Sequence, residues 1–481
     1  MTTTADHGNA PEPRPSVPGP DEFGADQSLI SPDRLLARAQ SAGFNPGRAL
    51  AGPRASAMAR SGLIHLLQRM SRDRLTIVEP DGTRLVFGPG ATTDDPLGPI
   101  EAELEIVDDR AWSAIVREGS IGLGRGFIEG WWTATRPTDV VRVLIRNLHT
   151  LDEMRNRIRR VTGGAGDVAR RALPRAGRSR NREDIGTHYD LGNDFFRLFL
   201  DDSMTYSSAV FTESGSGPSD IAGSAAGTLR RDLLAGSLAK YDRLLSKLGV
   251  MADHQVLEIG TGWGGLAIRA AEQRGATVTT TTVSEQQFDE VTARLATSAA
   301  ADRVRLLNRD WRDLDGRFDR VVSIEMIEAV DWRDYDRFFS TIAGCLAPDG
   351  MVGLQAICVP DGRYDRVKNT EDFIRRFVFP GGFLPSLGAM ADSIGRATRL
   401  QILDVEDFSA HYAETLRLWR TRFEAKQDEV AALGLDERFR RLWRFYLAYC
   451  EAGFLERHCT VNQIILVGPD WRPTGLDLRP V

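Results

Sequence analysis

The 481-residue chain has little cysteine and little lysine, and it has no long apolar run. Its four cysteines, at 345, 358, 450 and 459, are too few and too scattered for a disulfide framework or a CxxC zinc site, so no metal centre is expected. Nowhere do about 18 apolar residues follow one another, which excludes a membrane-spanning helix. The polar, Pro-rich start lacks the apolar segment of a secretory signal, so a cytoplasmic location is expected. A net charge of −6 gives no bulk reason to expect nucleic acid as a partner. With 42% apolar and 27% charged residues the chain reads as globular, and at roughly 100–200 residues per domain it has room for two to four domains. Lysine stands only at 240, 247, 368 and 426; the other basic residues are arginine.

Residues 1–57 mix Pro, Gly, Ala, Ser and charge without periodicity and read as a disordered leader. Residues 58–150 read as a small α+β accessory domain. In it Leu75–Val78 and Arg84–Phe87 flank the turn Pro80-Asp81-Gly82 as a hairpin, and Ala102–Val107 supplies a third strand. Helices follow at Arg110–Glu118 and Pro137–Asn147, separated by the glycine-rich GLGRGFIEGWW. Residues 151–183 hold ten arginines. Such a linker is either a solvated charge run or a basic strip for anionic lipid headgroups, worth about 1 kcal/mol per basic residue near a charged surface. From 184 to 481 strands alternate with helices: Gln255–Ile259, Thr277–Val283, Val304–Asn308, Phe318–Ile324 and Met351–Ile357 are strands, and a helix-rich tail begins at Phe408. That alternation predicts an α/β domain with a doubly wound parallel sheet.

The strongest local signal is Val256-Leu257-Glu258-Ile259-Gly260-Thr261-Gly262-Trp263-Gly264-Gly265, where a first strand turns into a first helix. Ligands of open α/β sheets bind at the carboxyl ends of the strands, and glycines let backbone approach them closely. The spacing departs from the dinucleotide pattern G-x-G-x-x-G, and no basic residue in the loop awaits a pyrophosphate. Glu258 just before it suits a cationic ligand such as S-adenosylmethionine.

Further blocks follow in order: Thr187-His188-Tyr189-Asp190-Leu191-Gly192-Asn193-Asp194-Phe195-Phe196, Met204-Thr205-Tyr206-Ser207-Ser208-Ala209-Val210-Phe211, and Thr282-Val283-Ser284-Glu285-Gln286-Gln287. Then come Asp310-Trp311-Arg312-Asp313-Leu314, Phe379-Pro380-Gly381-Gly382, His411-Tyr412-Ala413-Glu414-Thr415-Leu416, and Tyr446-Leu447-Ala448-Tyr449-Cys450. Together they resemble the cyclopropane-fatty-acyl-phospholipid synthases and mycolic-acid methyltransferases. The resemblance implies a Rossmann-like, class I S-adenosylmethionine-dependent methyltransferase domain preceded by the small α+β domain. It assigns cofactor contacts to Tyr206, Ser207, Gly260, Gly262, Thr282, Gln287 and Trp311, with Glu258, Gly264 and Ser284 from the same motifs. Core packing competes for Trp311, and a helix N-terminal contact competes for Gln287.

The resemblance also implies the chemistry. An isolated alkene attacking a sulfonium methyl leaves a carbocation on an acyl chain, so the site must exclude water and hold a base. In the family that base resembles a bound bicarbonate, whose holders match Ser208, Glu328, Gln355, the backbone of Ile357, and Tyr412. Tyr412 could polarise it and Glu328 could take its proton. This chain departs from the common pattern with Ser208 in place of Cys, Gln355 in place of His, Ala329 in place of the His after the Glu, and Thr261 in place of Cys. Cys450 matches a family active-site cysteine and is read as a lining residue rather than a nucleophile. His411 is expected to orient Tyr412. The departures resemble the subgroup making methyl-branched, tuberculostearate-type fatty acids.

The implied activity is methylation of the double bond of an unsaturated phospholipid acyl chain, giving a cyclopropane or a methylene branch that a partner reductase could saturate. The implied location is peripheral, at the inner face of the membrane. A catalytically silent, lipid-associated module that binds the cofactor and a small-molecule methyltransferase remain as alternatives.

Overall fold

A computed structural model describes residues 53–90, 98–148, 191–211 and 232–473. The expected leader up to residue 52, the arginine-rich linker and His188 lie outside the described residues. The first helix begins at Pro53, inside the stretch read as leader.

The N-terminal unit runs α1 (Pro53–Leu67), β1 (Asp73–Val78), β2 (Arg84–Gly90), β3 (Glu101–Ile106), α2 (Arg110–Glu118), α3 (Ser120–Ile128), β4 (Trp132–Thr133) and α4 (Pro137–Arg146). The hairpin forms as expected, with Leu75 opposite Phe87 and Ile77 opposite Leu85, and the sheet order is β2-β1-β3-β4. β3 alternates buried and exposed residues, the pattern of a strand with one face on a core. The glycine-rich stretch expected to separate two helices is instead helix α3. Glycine weakens a helix in isolation, but here close packing outweighs propensity. A Cβ on Gly122, Gly124 or Gly126 would collide with the Ala114 carbonyl, the Phe373 ring or the Trp132 ring.

The second unit runs α5 (Asn193–Arg197), α6 (Leu233–Lys247), β5 (Gln255–Ile259), α7 (Gly265–Arg274), β6 (Thr277–Thr282), α8 (Glu285–Leu295), β7 (Val304–Asn308), β8 (Phe318–Ile324), α9 (Tyr335–Cys345) and β9 (Leu346–Cys358). It continues through α10 (Asp361–Val367), α11 (Phe373–Phe377), α12 (Leu387–Ala397), β10 (Gln401–Asp407), α13 (Ser409–Ala425), α14 (Gln427–Ala432), α15 (Glu437–Leu455) and β11 (Thr460–Val467). Seven strands form one sheet in the order β10-β11-β9-β8-β5-β6-β7. Pairings from β7 through β9 are parallel, as expected. β11 is antiparallel to both β9 and β10, so the sheet is mixed rather than purely parallel. Seven of the eight residues of β11 are buried. Buried Asn462 and Gln463 stand beside the apolar run 464–467, so the strand shows no alternation of apolar and polar residues in sequence.

The helices after β10 form a cap. Phe195, Phe199, Trp419, Phe439 and Trp443 pack in one aromatic core that is continuous with the core of the N-terminal unit. Helix α15 holds the two units together. Phe445 meets Phe127 and Trp132 at ring distances of 5.3 and 5.9 Å, and Glu456 accepts from Arg142 and Arg146, each at 2.7 Å.

Candidate active site

The glycine loop follows β5, at the carboxyl edge of the sheet where its strand order reverses. Gly260, Gly262 and Gly264 have φ of +97°, +53° and +85°, values that side-chain-bearing residues rarely adopt. Gly260 and Thr261 donate backbone N–H bonds to Thr281, which fixes the loop to β6. A Cβ on Gly262 would meet nothing within 4 Å, so its backbone borders open space where a ligand fits. Gly264 differs: its Cβ would press on Val291 at 3.2 Å, so this glycine lets α7 approach α8.

The other cofactor candidates surround the loop. Thr282 donates its hydroxyl to Gln287 Oε1 at 2.8 Å, and both residues are buried. Ser284 is the N-cap of α8 and accepts from the Gln287 N–H. Its role here is to cap the helix, and the helix N-terminal contact weighed for Gln287 is made by its backbone. Trp311 is buried edge-on against Phe338 at 5.3 Å with the Arg312 guanidinium over its face at 4.5 Å. The core-packing reading of Trp311 is thus part of its environment. Glu258 does not stand free to meet a cation. Thr280 donates to it at 2.5 Å, Thr280 and Thr261 share a 2.6 Å bond, and burial pushes its carboxyl up to about 8. It ties β5, β6 and the loop together.

Across the neighbouring strand β8, the chain turns sharply. Glu325 follows Ile324 with φ +48°, a left-handed conformation that is costly for a glutamate. Its Oε1 accepts from the Ser208 N–H at 3.0 Å and from Gln355 Nε2 at 2.7 Å, and its Oε2 accepts from the Tyr412 hydroxyl at 2.8 Å. Gln355, on β9, is itself engaged by Gln463 Nε2 at 3.3 Å. Tyr412, on α13, stacks on Phe454 at 4.4 Å. Glu328 accepts from the Ile357 N–H at 2.6 Å, and its second oxygen has no partner. Burial first, then the neighbouring Glu325 charge, pushes the Glu328 carboxyl up to about 8.

The expected residues therefore gather, with two corrections. Ser208 acts through its backbone N–H, while its hydroxyl is turned to the Ala209 carbonyl at 3.0 Å. The donors assigned to bicarbonate are already taken, because Ser208, Gln355 and Tyr412 serve Glu325 and Ile357 serves Glu328. This arrangement does not fit a bound bicarbonate. His411 accepts from the Phe211 N–H at 3.1 Å, so it anchors the 206–211 segment beside Tyr412. Cys450 lines the cap, and burial raises its thiol well above the ordinary range, which fits a lining residue and not a thiolate nucleophile.

Two residues escaped the sequence reading. Glu325 stands three positions before the recognised Glu328 and was passed over because the motif named only one carboxylate. Lys240 is fully buried on α6, donates to Ser207 Oγ at 2.5 Å and lies over the Tyr241 ring at 4.3 Å. Burial lowers its ammonium to about 8, against the pull of Glu325, Asp201 and Glu258. Its being one of four lysines in an arginine-rich chain was the available signal.

Aromatic walls complete the site. Tyr206 bonds Tyr446 hydroxyl to hydroxyl at 2.9 Å and packs on Trp419 at 5.3 Å. Phe379 lies 6.1 Å from Tyr446, and the turn it opens donates the Phe383 N–H to the Glu328 carbonyl at 2.7 Å. Among the described residues no group of three or more potential metal ligands forms.

The family model for mycolic acid cyclopropane synthetase matches residues 177–464. The chain belongs to that family. It is 40% identical to the tuberculostearic acid methyltransferase of Mycobacterium tuberculosis over 387 residues, covering 80% of this chain and 87% of that one. It is 30% identical to the cyclopropane-fatty-acyl-phospholipid synthase of Escherichia coli over 376 residues, covering 76% and 88%. Among solved structures it is similar to the cyclopropane synthase MmaA2 of Mycobacterium tuberculosis, with 28% identity, a TM-score of 0.53, and coverage of 60% of this chain and 98% of that one. The mycolic acid cyclopropane synthase CmaA1, complexed with SAH and CTAB, matches at 31% identity with the same TM-score and coverage. The protein is an S-adenosylmethionine-dependent methyltransferase with a class I fold.

Proposed function

We propose that the protein methylates the double bond of an unsaturated fatty acyl chain in a phospholipid and releases a methylene-branched chain, which a partner reductase would saturate. The observation that carries this reading is the paired carboxylate turn, Glu325 and Glu328, set among aromatic rings one strand away from the glycine loop. The cofactor, when bound, supplies an electrophilic methyl group. Gly260 and Gly262 would hold it through backbone, with Thr282, Gln287 and Trp311 at its rim. The walls of Tyr206, Phe379, Trp419 and Tyr446 exclude water from a cation on the acyl chain and offer it ring faces. A buried carboxylate of this pair then receives the proton that the chain must lose.

Two exits from that cation are chemically open. Proton loss from the new methyl with ring closure gives a cyclopropane. A 1,2-hydride shift followed by proton loss from the methyl gives an exocyclic methylene. The departures at Ser208, Ala329 and Gln355, together with the likeness to a tuberculostearic acid methyltransferase, favour the second. NMR of lipids from a host expressing the chain tests it. Exocyclic methylene protons are expected, and cyclopropane ring protons would overturn the methylene exit.

No helix among the described residues is long and apolar enough to cross a membrane. Contact with the bilayer is then peripheral, and the ten arginines of residues 151–183 are the candidate surface for anionic headgroups. Neutralising them should weaken sedimentation with anionic vesicles; unchanged sedimentation would remove that assignment.

A further inference from the structure

We infer that Glu325 is the catalytic base of this enzyme, a carboxylate of the chain itself standing where an external anion would otherwise be bound. The inference rests on the acyl-chain reading above, since only a cationic acyl intermediate requires a base at this place.

Four observations point to Glu325. The first is its backbone. A glutamate at φ +48° directly after a strand is a strained choice, and such strain persists where the surroundings hold it for a purpose. Its N–H is tied to the Gln355 carbonyl at 2.7 Å, so the turn is locked from both sides.

The second is hydrogen bonding. Three donors from three separate elements converge on one carboxylate: the Ser208 amide, the Gln355 side-chain amide and the Tyr412 hydroxyl. Gln355 offers a neutral N–H at any pH, which a histidine at this position would not. The departure from the family pattern at Gln355 thus gains an explanation, because its side-chain amide serves an internal anion, whereas Ser208 contributes a backbone N–H that does not depend on its side chain.

The third is charge. Burial raises the Glu325 carboxyl, but Lys240, a fully buried cation, and the three hydrogen bonds pull it back down, whereas Glu328 has a single hydrogen bond and an orphan oxygen that hold an ionised form poorly. Hydrogen bonds to the charged form and a nearby cation favour ionisation, and two close carboxylates avoid ionising together. Glu325 therefore keeps the negative charge and Glu328 keeps the proton.

The fourth is elimination among the neighbours. The Tyr412 hydroxyl and the Cys450 thiol are both raised by burial, and Lys240 is a donor to Ser207. None of them offers a lone pair to a C–H bond at neutral pH.

The step balances. One alkene carbon gains a bond to the transferred methyl as the sulfonium S–CH3 bond breaks; the sulfur keeps that bond's electron pair and leaves as the neutral thioether, and the positive charge passes to the acyl chain. A C–H bond of that methyl then breaks, and its electron pair becomes either the third ring bond or, after a hydride shift, the methylene double bond. The proton goes to Glu325, whose carboxylate becomes a neutral acid and later releases it to solvent. No oxidant or further co-reactant enters.

The test compares wild type, Glu325→Gln and Glu325→Gly on unsaturated phospholipid vesicles, in argon-sparged, decarbonated buffer with and without added bicarbonate. Wild type should turn over equally in both. Glu325→Gln should lose roughly 10²–10⁴-fold in kcat, the range general-base removal gives, while binding S-adenosylhomocysteine within about threefold of wild type by calorimetry. Glycine suits a positive φ, so Glu325→Gly should fold and leave the cradle of donors vacant; added bicarbonate or formate should restore at least about tenfold of its lost activity. Wild type that needs bicarbonate, or a Glu325→Gln enzyme as active as wild type, would overturn the assignment and leave the proposed function intact. Wild type that modifies no unsaturated phospholipid in either buffer would overturn the acyl-chain reading, and this inference would fall with it.

Discussion

The loop after β5 and the turn after β8 end neighbouring, parallel-paired strands, yet they are built by opposite means. The loop is made of backbone. Three glycines with positive φ lie within five consecutive residues, and one of them borders open space. The turn is made of groups brought from far apart: the Ser208 N–H and the side chains of Lys240, Gln355 and Tyr412 surround a single strained glutamate. A site for a common cofactor can be a short string, because backbone N–H groups and close approach do the binding. A site that must place one proton acceptor beside a cation needs several chemically distinct groups, which only the folded chain assembles.

That separation can be broken by substitution, and the largest effect is expected in the loop. Gly260→Val forces a branched residue to φ +97° and its Cβ against Met326 Cγ, 3.0 Å away. S-adenosylhomocysteine affinity measured by calorimetry should fall by about 100-fold or more, since the strained conformation costs on the order of 1–3 kcal/mol before any clash. Tyr412→Phe in the turn should leave that affinity within about threefold. It should instead lower kcat about 10- to 100-fold, the equivalent of about 1.5–3 kcal/mol for a hydrogen bond to a charged group. If Tyr412→Phe weakened cofactor binding as much as Gly260→Val, the two halves would not be separate devices.

A smaller effect distinguishes the electrostatics of the turn. Lys240 pulls the Glu325 carboxyl down against its burial. Lys240→Met should therefore move the acid limb of the pH–rate profile upward by about one unit, a shift of about 1.4 kcal/mol. Movement in the other direction would mean that Lys240 does not face the base.

How much of this was legible follows the same division. The loop, the strands β5 to β9 and the family blocks all stand in contiguous sequence, and the structure reproduces the loop and these strands. The glycine-rich α3 was hidden because its helix exists only through contact with Ala114, Phe373 and Trp132. β11 was hidden because a strand buried on both faces shows no alternation. Ser208 was recognised for its hydroxyl, whereas the fold uses its amide. Glu325 was hidden because nothing in one sequence tells which of two glutamates three residues apart will be reached by Tyr412. Gln355 and Tyr412 do lie together, but both bond to the chain's own carboxylate, Glu325.

The smallest expected effect is on stability, and it separates the loop carboxylate from the turn carboxylate. Glu258 and Glu328 both have carboxyls raised to about 8, chiefly by burial. In the unfolded chain each releases its proton near the ordinary value of about 4.3, so between those limits the folded state holds a proton that the unfolded state has lost. Their contribution to stability is then fully present below about pH 4.3 and is lost as the pH rises through about 8. Glutamine mimics the protonated acid and cannot ionise. Glu258→Gln and Glu328→Gln should each leave Tm nearly unchanged at about pH 4 and raise it by at least roughly 2–4 °C at about pH 8.5, where the gain is at least about 1 kcal/mol in a domain of this size. The two should part in a Glu325→Gln background. Part of the Glu328 shift comes from the Glu325 charge, so its gain at high pH should shrink there, while that of Glu258, which feels Lys240 and not Glu325, should persist. Equal shrinkage at both positions would mean that the loop and the turn share one electrostatic unit.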